Sequence, residues 1–426
     1  MYFNRKTTMK FTLACFSILL NAVLLFATDD HIDVLKKGDS LYSLNLFSEA
    51  VEVYKGVVTE KTEHKVLHRY AQSLHAIQSY EAELGIYNRM LKDSANNMNL
   101  MMKKAAALAL TNNVADAITI YAQCLKIDSA NAELWQRIGD AYLIAKLYER
   151  SIRSYLKSLE LNPQNSMAFT ALGKSYASLG KSDTAMKSFK KALEYDSTNH
   201  EAWINLGNVY TTKQDVDKAI ICFQKAIESK PDFADAFNNL GMVYYGAGKQ
   251  DSAVAAFNAA IVLDKKEASF YNNAGLAYLA AGDTLKASKF FKNAIVYDSL
   301  YTKALYNIGI TSLFMKDYSE AIQYIQKAIT QQSNNPEYWY SLGLAHARLN
   351  QMSIALGYWN EAVRLDSNNG NYYYAMGTVY DKPESINAKR QLYERAAALG
   401  QEDAKVWLSK NPVETPNAKT KKSKKK

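Results

Sequence analysis

The chain has 426 residues, which is enough for two to four domains of ordinary size or for one long array of repeats. Hydrophobic residues make up 48% and charged residues 22%, which excludes a disordered chain, and 18 glycines with 6 prolines are too few for collagen or a turn-rich all-β fold. The net charge of +9 lies entirely in the first ten and last eight residues. Because the sequence between them carries no net charge, nucleic acid is not expected as a partner.

Residues 1–28 have the pattern of an export signal. Three basic residues precede an apolar run from Phe11 to Ala27, and two aspartates follow it. Leu25 is larger than the residue preferred two positions before a cleavage site at Ala27, so an uncleaved N-terminal membrane anchor is the alternative to a cleaved signal peptide. Both interpretations predict an exported protein, periplasmic or membrane-anchored, with the rest of the chain outside the cytoplasm.

Eight glycines recur at intervals of 34 residues, which indicates an internal repeat. They are Gly139, Gly173, Gly207, Gly241, Gly275, Gly309, Gly343 and Gly377. When each repeat is numbered so that this glycine is position 8, positions 4, 11 and 24 are mostly aromatic and positions 20 and 27 mostly alanine. Spacings of three and four residues within each group predict two amphipathic helices per repeat, called A and B here.

The ends of helix A also follow the repeat. Glycines at 180, 248 and 282 suit a left-handed residue after helix A. Asparagines stand just before the next helix A, where a side-chain oxygen can cap it. These predicted caps are Asn131, Asn165, Asn199, Asn335 and Asn369.

These residues resemble the tetratricopeptide repeat, whose pattern is Trp-x2-Leu-Gly-x2-Tyr, then Ala-x3-Phe, then Pro. The repeat from residue 200 carries it as Trp203, Leu206, Gly207, Tyr210, Ala219, Phe223 and Pro231. Full repeats cover residues 132–369, and weaker repeats of the same kind cover residues 29–131. The resemblance implies an all-α, right-handed α-solenoid of about ten to eleven stacked 34-residue helix-turn-helix repeats.

The C-terminal end departs from this pattern. After Tyr380 the register is expected to break, and residues 370–410 are predicted to hold a degenerate repeat and capping helices similar to the end of a Sel1-like repeat. Residues 411–426 are lysine-rich and predicted to be disordered. This tail could contact an anionic surface, and a merely solvated tail is the alternative.

No catalytic motif is found in the sequence. A Gly-rich phosphate loop, a nucleophile elbow and paired metal-binding cysteines are all lacking, so the chain is not expected to be an enzyme or to need a cofactor. His64, His68 and His75 share one helical face, but one metal ion cannot reach all three at this spacing. We therefore expect solvated histidines and no metal site.

A row of asparagines at position 6 is the strongest candidate for a binding site. Asn205, Asn239, Asn273 and Asn307 occupy this position in four consecutive repeats. Position 6 lies about 200° round the helix from position 4, and in stacked helix pairs that side of helix A faces the concave groove. Each amide offers a donor and an acceptor to the backbone of an extended peptide, and the resemblance implies the same use. An amide that merely bonds a neighbouring helix is the alternative.

Apolar residues flank this row and are predicted to line the same groove. They are Met242, Tyr245, Leu276, Leu279, Ile310 and Leu313. If they remain exposed they form a patch that favours a partner. The sequence therefore predicts a non-catalytic scaffold for protein–protein interaction that binds a protein or extended peptide in its groove. The alternative is a structural or assembly subunit of a cell-envelope or secretion complex that docks through its convex face or edges.

Overall fold

The computed structural model describes residues 31–59 and 62–412, and within them the chain is entirely helical, with 23 α-helices and one 3-10 helix. The first eleven helices are α1 His31–Ser43, α2 Phe47–Val57, α3 His64–Ala76, α4 Tyr80–Asp93, α5 Met98–Leu110, α6 Val114–Ile127, α7 Ala132–Ile144, α8 Tyr148–Leu161, α9 Ser166–Ser178, α10 Ser182–Tyr195 and α11 His200–Thr212. The others are α12 Val216–Ser229, α13 Ala234–Gly246, α14 Gln250–Leu263, α15 Ala268–Ala280, α16 Thr284–Tyr297, α17 Thr302–Phe314, α18 Tyr318–Gln331, α19 Pro336–Arg348, α20 Met352–Leu365, α21 Gly370–Gly377, α22 Ile386–Ala398 and α23 Glu402–Lys410.

The chain divides into two compact units, residues 1–209 and 210–426, and the boundary falls within α11. Odd-numbered helices up to α21 are the A helices of successive repeats, and even-numbered helices are the B helices. Within each unit helix A packs on helix B of its own repeat, and helix B packs on the next helix A. Neighbouring A helices also touch, as α5 and α7 do in the first unit and α13 and α15 in the second. The predicted all-α repeat fold is confirmed.

In most repeats a close contact joins the position 8 glycine to the side chain at position 24, whereas the repeats from 64 and 98 have Ala71 and Ala105 at position 8. A Cβ atom added to Gly241 would lie 2.7 Å from the Phe257 ring, and one added to Gly139 would lie 2.6 Å from the Tyr155 ring. Both rings are fully buried. The glycine therefore lets helices A and B approach closely, and the ring fills the space between them.

The predicted helix ends are also confirmed. All five asparagine caps accept a hydrogen bond from a backbone N–H of the helix that follows, as Asn165 does from Ala168 at 3.0 Å. The three turn glycines have positive φ angles, Gly282 the largest of them at 83°. The same turn position is left-handed where it is not glycine, with φ 58° at Lys146 and 63° at Lys316. The fold thus imposes this conformation whatever the residue.

The C-terminal repeat keeps its register further than the sequence suggested. Gly377 meets the ring of Tyr393 as Gly343 meets that of Trp359, sixteen residues later in both cases. The expected break in register after Tyr380 is therefore wrong at this contact. The connection between helices A and B differs from that of the other repeats. Helix A is shortened to α21, and a 3-10 turn, Pro383–Ser385, precedes helix B, which is α22.

Two predicted segments fall largely beyond the described residues. The signal or anchor at 1–28 lies outside them, as do all but the first two residues of the 411–426 tail. Across 31–59 and 62–412, no helix has both the length and the apolar character needed to cross a membrane.

The glycine–ring contact predicts a local stability effect. The change Gly241→Ala should destabilise its repeat by about 1–3 kcal/mol, because the new methyl group would overpack against Phe257. Hydrogen exchange should become faster in residues 234–263 before distant repeats respond, since repeats unfold as near-neighbour units. Gly357→Ala is the matched control, because an added Cβ there meets nothing within 4 Å. It should instead stabilise α20 by about 0.5–1 kcal/mol, and equal effects of both changes would contradict the packing argument.

The left-handed turn predicts a stabilising substitution. Lys316→Gly should raise the midpoint of urea unfolding, with a gain of about 0.5–1 kcal/mol, because a left-handed conformation strains a residue that carries a Cβ atom. The control is Lys289→Gly on the exposed side of α16, which should cost about 1 kcal/mol as a glycine in a helix interior. A loss of stability in both variants would show that the turn at 316 is not strained.

Candidate peptide-binding surface

The four position 6 asparagines lie at the sixth residue of an A helix. Asn239, Asn273 and Asn307 are on α13, α15 and α17 of the second unit, and Asn205 is on α11 within the first unit. All four side chains are half-buried. Within the second unit the A helices are neighbours, so the three amides there lie on one continuous side of the helix stack.

Two of these amides are bonded to the preceding repeat. The Asn273 amide nitrogen donates to Asn238 Oδ1 at 2.9 Å, and that of Asn307 donates to Asn272 Oδ1 at 2.8 Å. In both pairs position 6 of one repeat bonds position 5 of the repeat before it. A side-chain amide has two N–H donors and an oxygen acceptor, so one such bond fixes the orientation of the amide and leaves further polar capacity.

The remaining two asparagines have different surroundings. Asn205 donates to the backbone oxygen of Glu201 in its own helix at 2.7 Å. The Asn239 side chain makes no hydrogen bond within the described residues, and position 5 of the repeat before it is the apolar Ile204. Asn239 therefore keeps both its donors and its acceptor.

The apolar residues predicted beside this row are less exposed than a free patch would be. Met242 is 43% exposed. The other five are half-buried, namely Tyr245, Leu276, Leu279, Ile310 and Leu313. Leu276 and Leu279 pack on the core around Phe291 and Ile308. Met242 is thus the most exposed of these six residues.

Two adjoining cavities in the first unit were not predicted from the sequence. One has a volume of about 450 Å³ and lies among α3, α4, α5 and α7. The other, of about 460 Å³, shares Gln72 and Asn99 with it as lining residues. Position 6 of the three repeats involved is basic, being Arg69, Lys103 and Arg137. Following position 6 back into the weaker repeats would have revealed this row.

Lys103 is the central charge between these cavities. Its Nζ lies 2.5 Å from Nε2 of His68, again a position 6 to position 5 contact between consecutive repeats. Burial lowers the pKa of Lys103, and the nearby Arg137 cation lowers it further against the opposing effect of Glu83. Burial also lowers the pKa of His68, and the neighbouring lysine adds to this. The imidazole can therefore act as a neutral acceptor for the ammonium group.

The other two histidines also have polar partners. His75 Nδ1 lies 3.0 Å from a carboxylate oxygen of Glu83, and His64 Nε2 lies 3.3 Å from Asp93. Burial raises the pKa of Glu83, although hydrogen bonds from His75 and Tyr87 oppose the shift. The expectation of solvated histidines is therefore wrong for the half-buried His68, whereas the side chains of His64 and His75 are 42% and 51% exposed. Within the described ranges, no group of three or more side chains is arranged to hold a metal ion.

The comparisons with known proteins identify the repeat. Models described as tetratricopeptide repeat match residues 132–165, 154–187, 238–298, 272–336 and 306–370, and one described as TPR repeat matches 173–214 and 207–248. The matches together span more than half of the chain. The chain belongs to the tetratricopeptide repeat family. Repeats of this family mediate protein–protein interaction, so the chain is a protein-interaction scaffold in this general sense.

Solved structures provide partial likenesses. MamA is 33% identical over 38% of this chain and 95% of its own, with a TM-score of 0.36. YrrB, described as a TPR protein with an unusual peptide-binding site, is 24% identical over 43% of this chain and 94% of its own, with a TM-score of 0.37. PilF of Pseudomonas aeruginosa is 20% identical over 49% of this chain and 94% of its own, with a TM-score of 0.44. No match was found among curated protein sequences.

Proposed function

We propose that the protein is a non-catalytic scaffold that binds an extended peptide along the position 6 asparagines of the second unit, Asn239, Asn273 and Asn307. The observation that supports this most is the set of amides at one-repeat intervals, two of which are held in orientation by Asn238 and Asn272. A peptide backbone presents alternating N–H and C=O groups, and a side-chain amide can bond either of them. Because the amides of Asn273 and Asn307 are already oriented, less conformational entropy is lost when a peptide binds.

The location of the protein is part of the same proposal. The basic and apolar order of residues 1–28 supports export, with the repeats in the periplasm or anchored at the membrane outside the cytoplasm. The partner would then be an exported protein or an exposed segment of an envelope protein.

A second candidate is an assembly subunit that docks through its B helices. An exposed apolar row supports it, made up of Val262, Leu263, Val296, Tyr297 and Leu300. Val262 is 71% and Val296 74% exposed. Three earlier repeats carry glutamate at the position of these valines, each paired with a lysine at 2.6 Å. Exposed valines in place of ion pairs are costly to solvate and so favour a covered surface.

A site-specific crosslinking experiment separates the two candidates. A photoreactive amino acid at Met242 reports on the asparagine side, and the same amino acid at Val262 reports on the B helices. In the native envelope fraction, we expect a crosslinked product from Met242 and none from Val262. The change Asn239→Ala should reduce the Met242 product roughly five-fold, since hydrogen bonds worth about 0.5–1.5 kcal/mol are lost.

The Asn239→Ala variant is also the control for folding. Asn239 takes part in no bond between repeats that an alanine would break, so circular dichroism and the melting temperature should not change. Adding Asn273→Ala and Asn307→Ala should abolish the Met242 product. A product from Val262 that survives all three changes would overturn peptide binding and establish the assembly subunit.

The export proposal has its own measurement. Mass spectrometry of the native protein should find a mature N-terminus near residues 22–30 if the signal is cleaved. An intact Phe11–Ala27 segment in a membrane pellet that resists carbonate would establish the anchor instead. Recovery from the cytosol with residues 1–27 intact would contradict both forms of export.

A further inference from the structure

A third cavity of the first unit, with a volume of about 360 Å³, lies among α6, α7 and α8. Helices α6 and α8 are the B helices of consecutive repeats, and α7 is the A helix between them. The lining comes from positions 4, 7, 11, 19, 22 and 23 of the repeat from 132 and from positions 21, 25 and 28 of the repeat before it. Since position 6 is not among them, this cavity is independent of the peptide-binding surface proposed above.

In later repeats an aromatic side chain at position 23 fills the corresponding place. These aromatic residues are Phe290, Tyr324 and Tyr358. The centre of the Phe290 ring lies 6.4 Å from that of Tyr271 at position 4 and 4.9 Å from that of Tyr278 at position 11. Phe290 also packs on the same core as Val254 and Ile261, which are positions 21 and 28 of the repeat before it. The ring thus sits among positions 4, 11, 21 and 28.

The repeat from 336 has the same arrangement with a tryptophan at position 4, which is also the residue type at this position in the repeat from 132. The centre of the Tyr358 ring lies 5.9 Å from that of Trp339 at position 4 and 5.2 Å from the imidazole of His346 at position 11. Tyr358 and Trp339 pack on the same buried core. An aromatic ring therefore fits beside a tryptophan in this place.

The repeat from 132 has these surroundings but a serine at position 23. Positions 4 and 11 of this repeat and positions 21 and 28 of the one before line the cavity with Trp135, Tyr142, Ile118 and Leu125. The Ser154 hydroxyl donates to the backbone oxygen of Arg150 in its own helix at 3.0 Å, and the side chain is too small to reach across. The cavity therefore occupies the place that Phe290 fills in its own repeat.

Two exposed arginines also line this cavity, Arg150 at position 19 and Arg153 at position 22. Small residues stand at position 23 of the next three repeats as well, but only the repeat from 132 combines a small residue there with arginines at both positions. The Arg150 guanidinium lies 5.8 Å from the centre of the Tyr142 ring. Guanidinium groups stack on aromatic faces and donate hydrogen bonds to peptide carbonyl groups, so both features suit a ring carried by a polypeptide.

We propose that this cavity binds one phenylalanine or tyrosine side chain of a partner polypeptide, in the place that Phe290 takes in its own repeat. The inserted ring packs beside Trp135 and Tyr142, so apolar burial and contacts between aromatic rings stabilise the complex. Arg153 donates to a backbone carbonyl oxygen of the inserted segment. Because the ring and not a charge is recognised, salt should have little effect on binding.

Fluorine NMR of the full-length chain, with 5-fluorotryptophan at its five tryptophans, tests this at Trp135. The probe is the pentapeptide Gly-Ser-Phe-Ser-Gly with both ends blocked, and the matched controls carry leucine or cyclohexylalanine in place of phenylalanine. We expect the phenylalanine peptide to shift the Trp135 resonance and to bind roughly three-fold more tightly than the cyclohexylalanine peptide, because aromatic pairs gain more than their buried area alone provides. Free p-cresol separates an isolated ring from a ring carried by a polypeptide.

Variants of the protein locate the binding. Ser154→Phe supplies the ring from the chain itself, so it should abolish the shift that the peptide causes at Trp135 without lowering the melting temperature. Ala122→Phe places a ring at the cavity from α6 and should weaken binding roughly ten-fold. Gln123→Phe is its matched control, since both residues are exposed but only Ala122 lines the cavity. Asn239→Ala should leave this binding unaltered, so a failure of peptide binding in the second unit is told apart.

Three outcomes would overturn the proposal. The first is equal binding of the phenylalanine, leucine and cyclohexylalanine peptides, which would show that no aromatic ring is selected. The second is a shift with p-cresol and none with the phenylalanine peptide, which would exclude a polypeptide as the source of the ring. The third is an unchanged response to the peptide in Ser154→Phe. If Ser154→Phe lowers the melting temperature, Ala122→Phe and Gln123→Phe decide the test, and equal binding by these two variants would contradict the proposed place.

Discussion

The contact between the position 8 glycine and the position 24 side chain is the constraint on which the rest of the structure depends. It sets how closely helices A and B approach in repeats from Gly38 with Tyr54 to Gly377 with Tyr393, apart from the two repeats that have Ala71 and Ala105 at position 8. A methyl group added to one of these glycines would meet the position 24 side chain, and a smaller side chain at position 24 would leave a cavity. Because this contact lies inside one repeat, each unit can be built by stacking identical hairpins, and the outward positions remain free to differ.

Position 6 is one of the positions whose residue differs between repeats. Its side chain bonds position 5 of the preceding repeat at Lys103–His68, Asn273–Asn238 and Asn307–Asn272, and the Ser341 and Tyr306 hydroxyls form the same kind of pair at 3.0 Å. These bonds join neighbouring A helices through polar groups that would otherwise be half-buried without partners. They therefore contribute to stacking and at the same time fix the direction of the groups that a ligand would meet.

The sequence predicted those features that lie within one repeat. Helix periodicity, the small residues at close contacts and the asparagine caps such as Asn165 all involve residues near one another in the chain, so their spacing carries the signal. It did not predict pairs such as Lys103 with His68, which are 35 residues apart and appear only when repeats stack. The left-handed φ of Lys316 was missed for a related reason, since packing on both sides of the turn overrides the preference of the residue.

The same geometric arrangement thus presents two kinds of chemistry. In the first unit Lys103 at position 6 is bonded to the imidazole of His68, and in the second unit Asn273 at position 6 is bonded to the amide of Asn238. A cation attracts carboxylates through a charge that salt screens, whereas an amide selects by hydrogen-bond geometry and ignores net charge. Substitutions at position 6 can therefore change the partner while the glycine–ring contact keeps the fold unchanged.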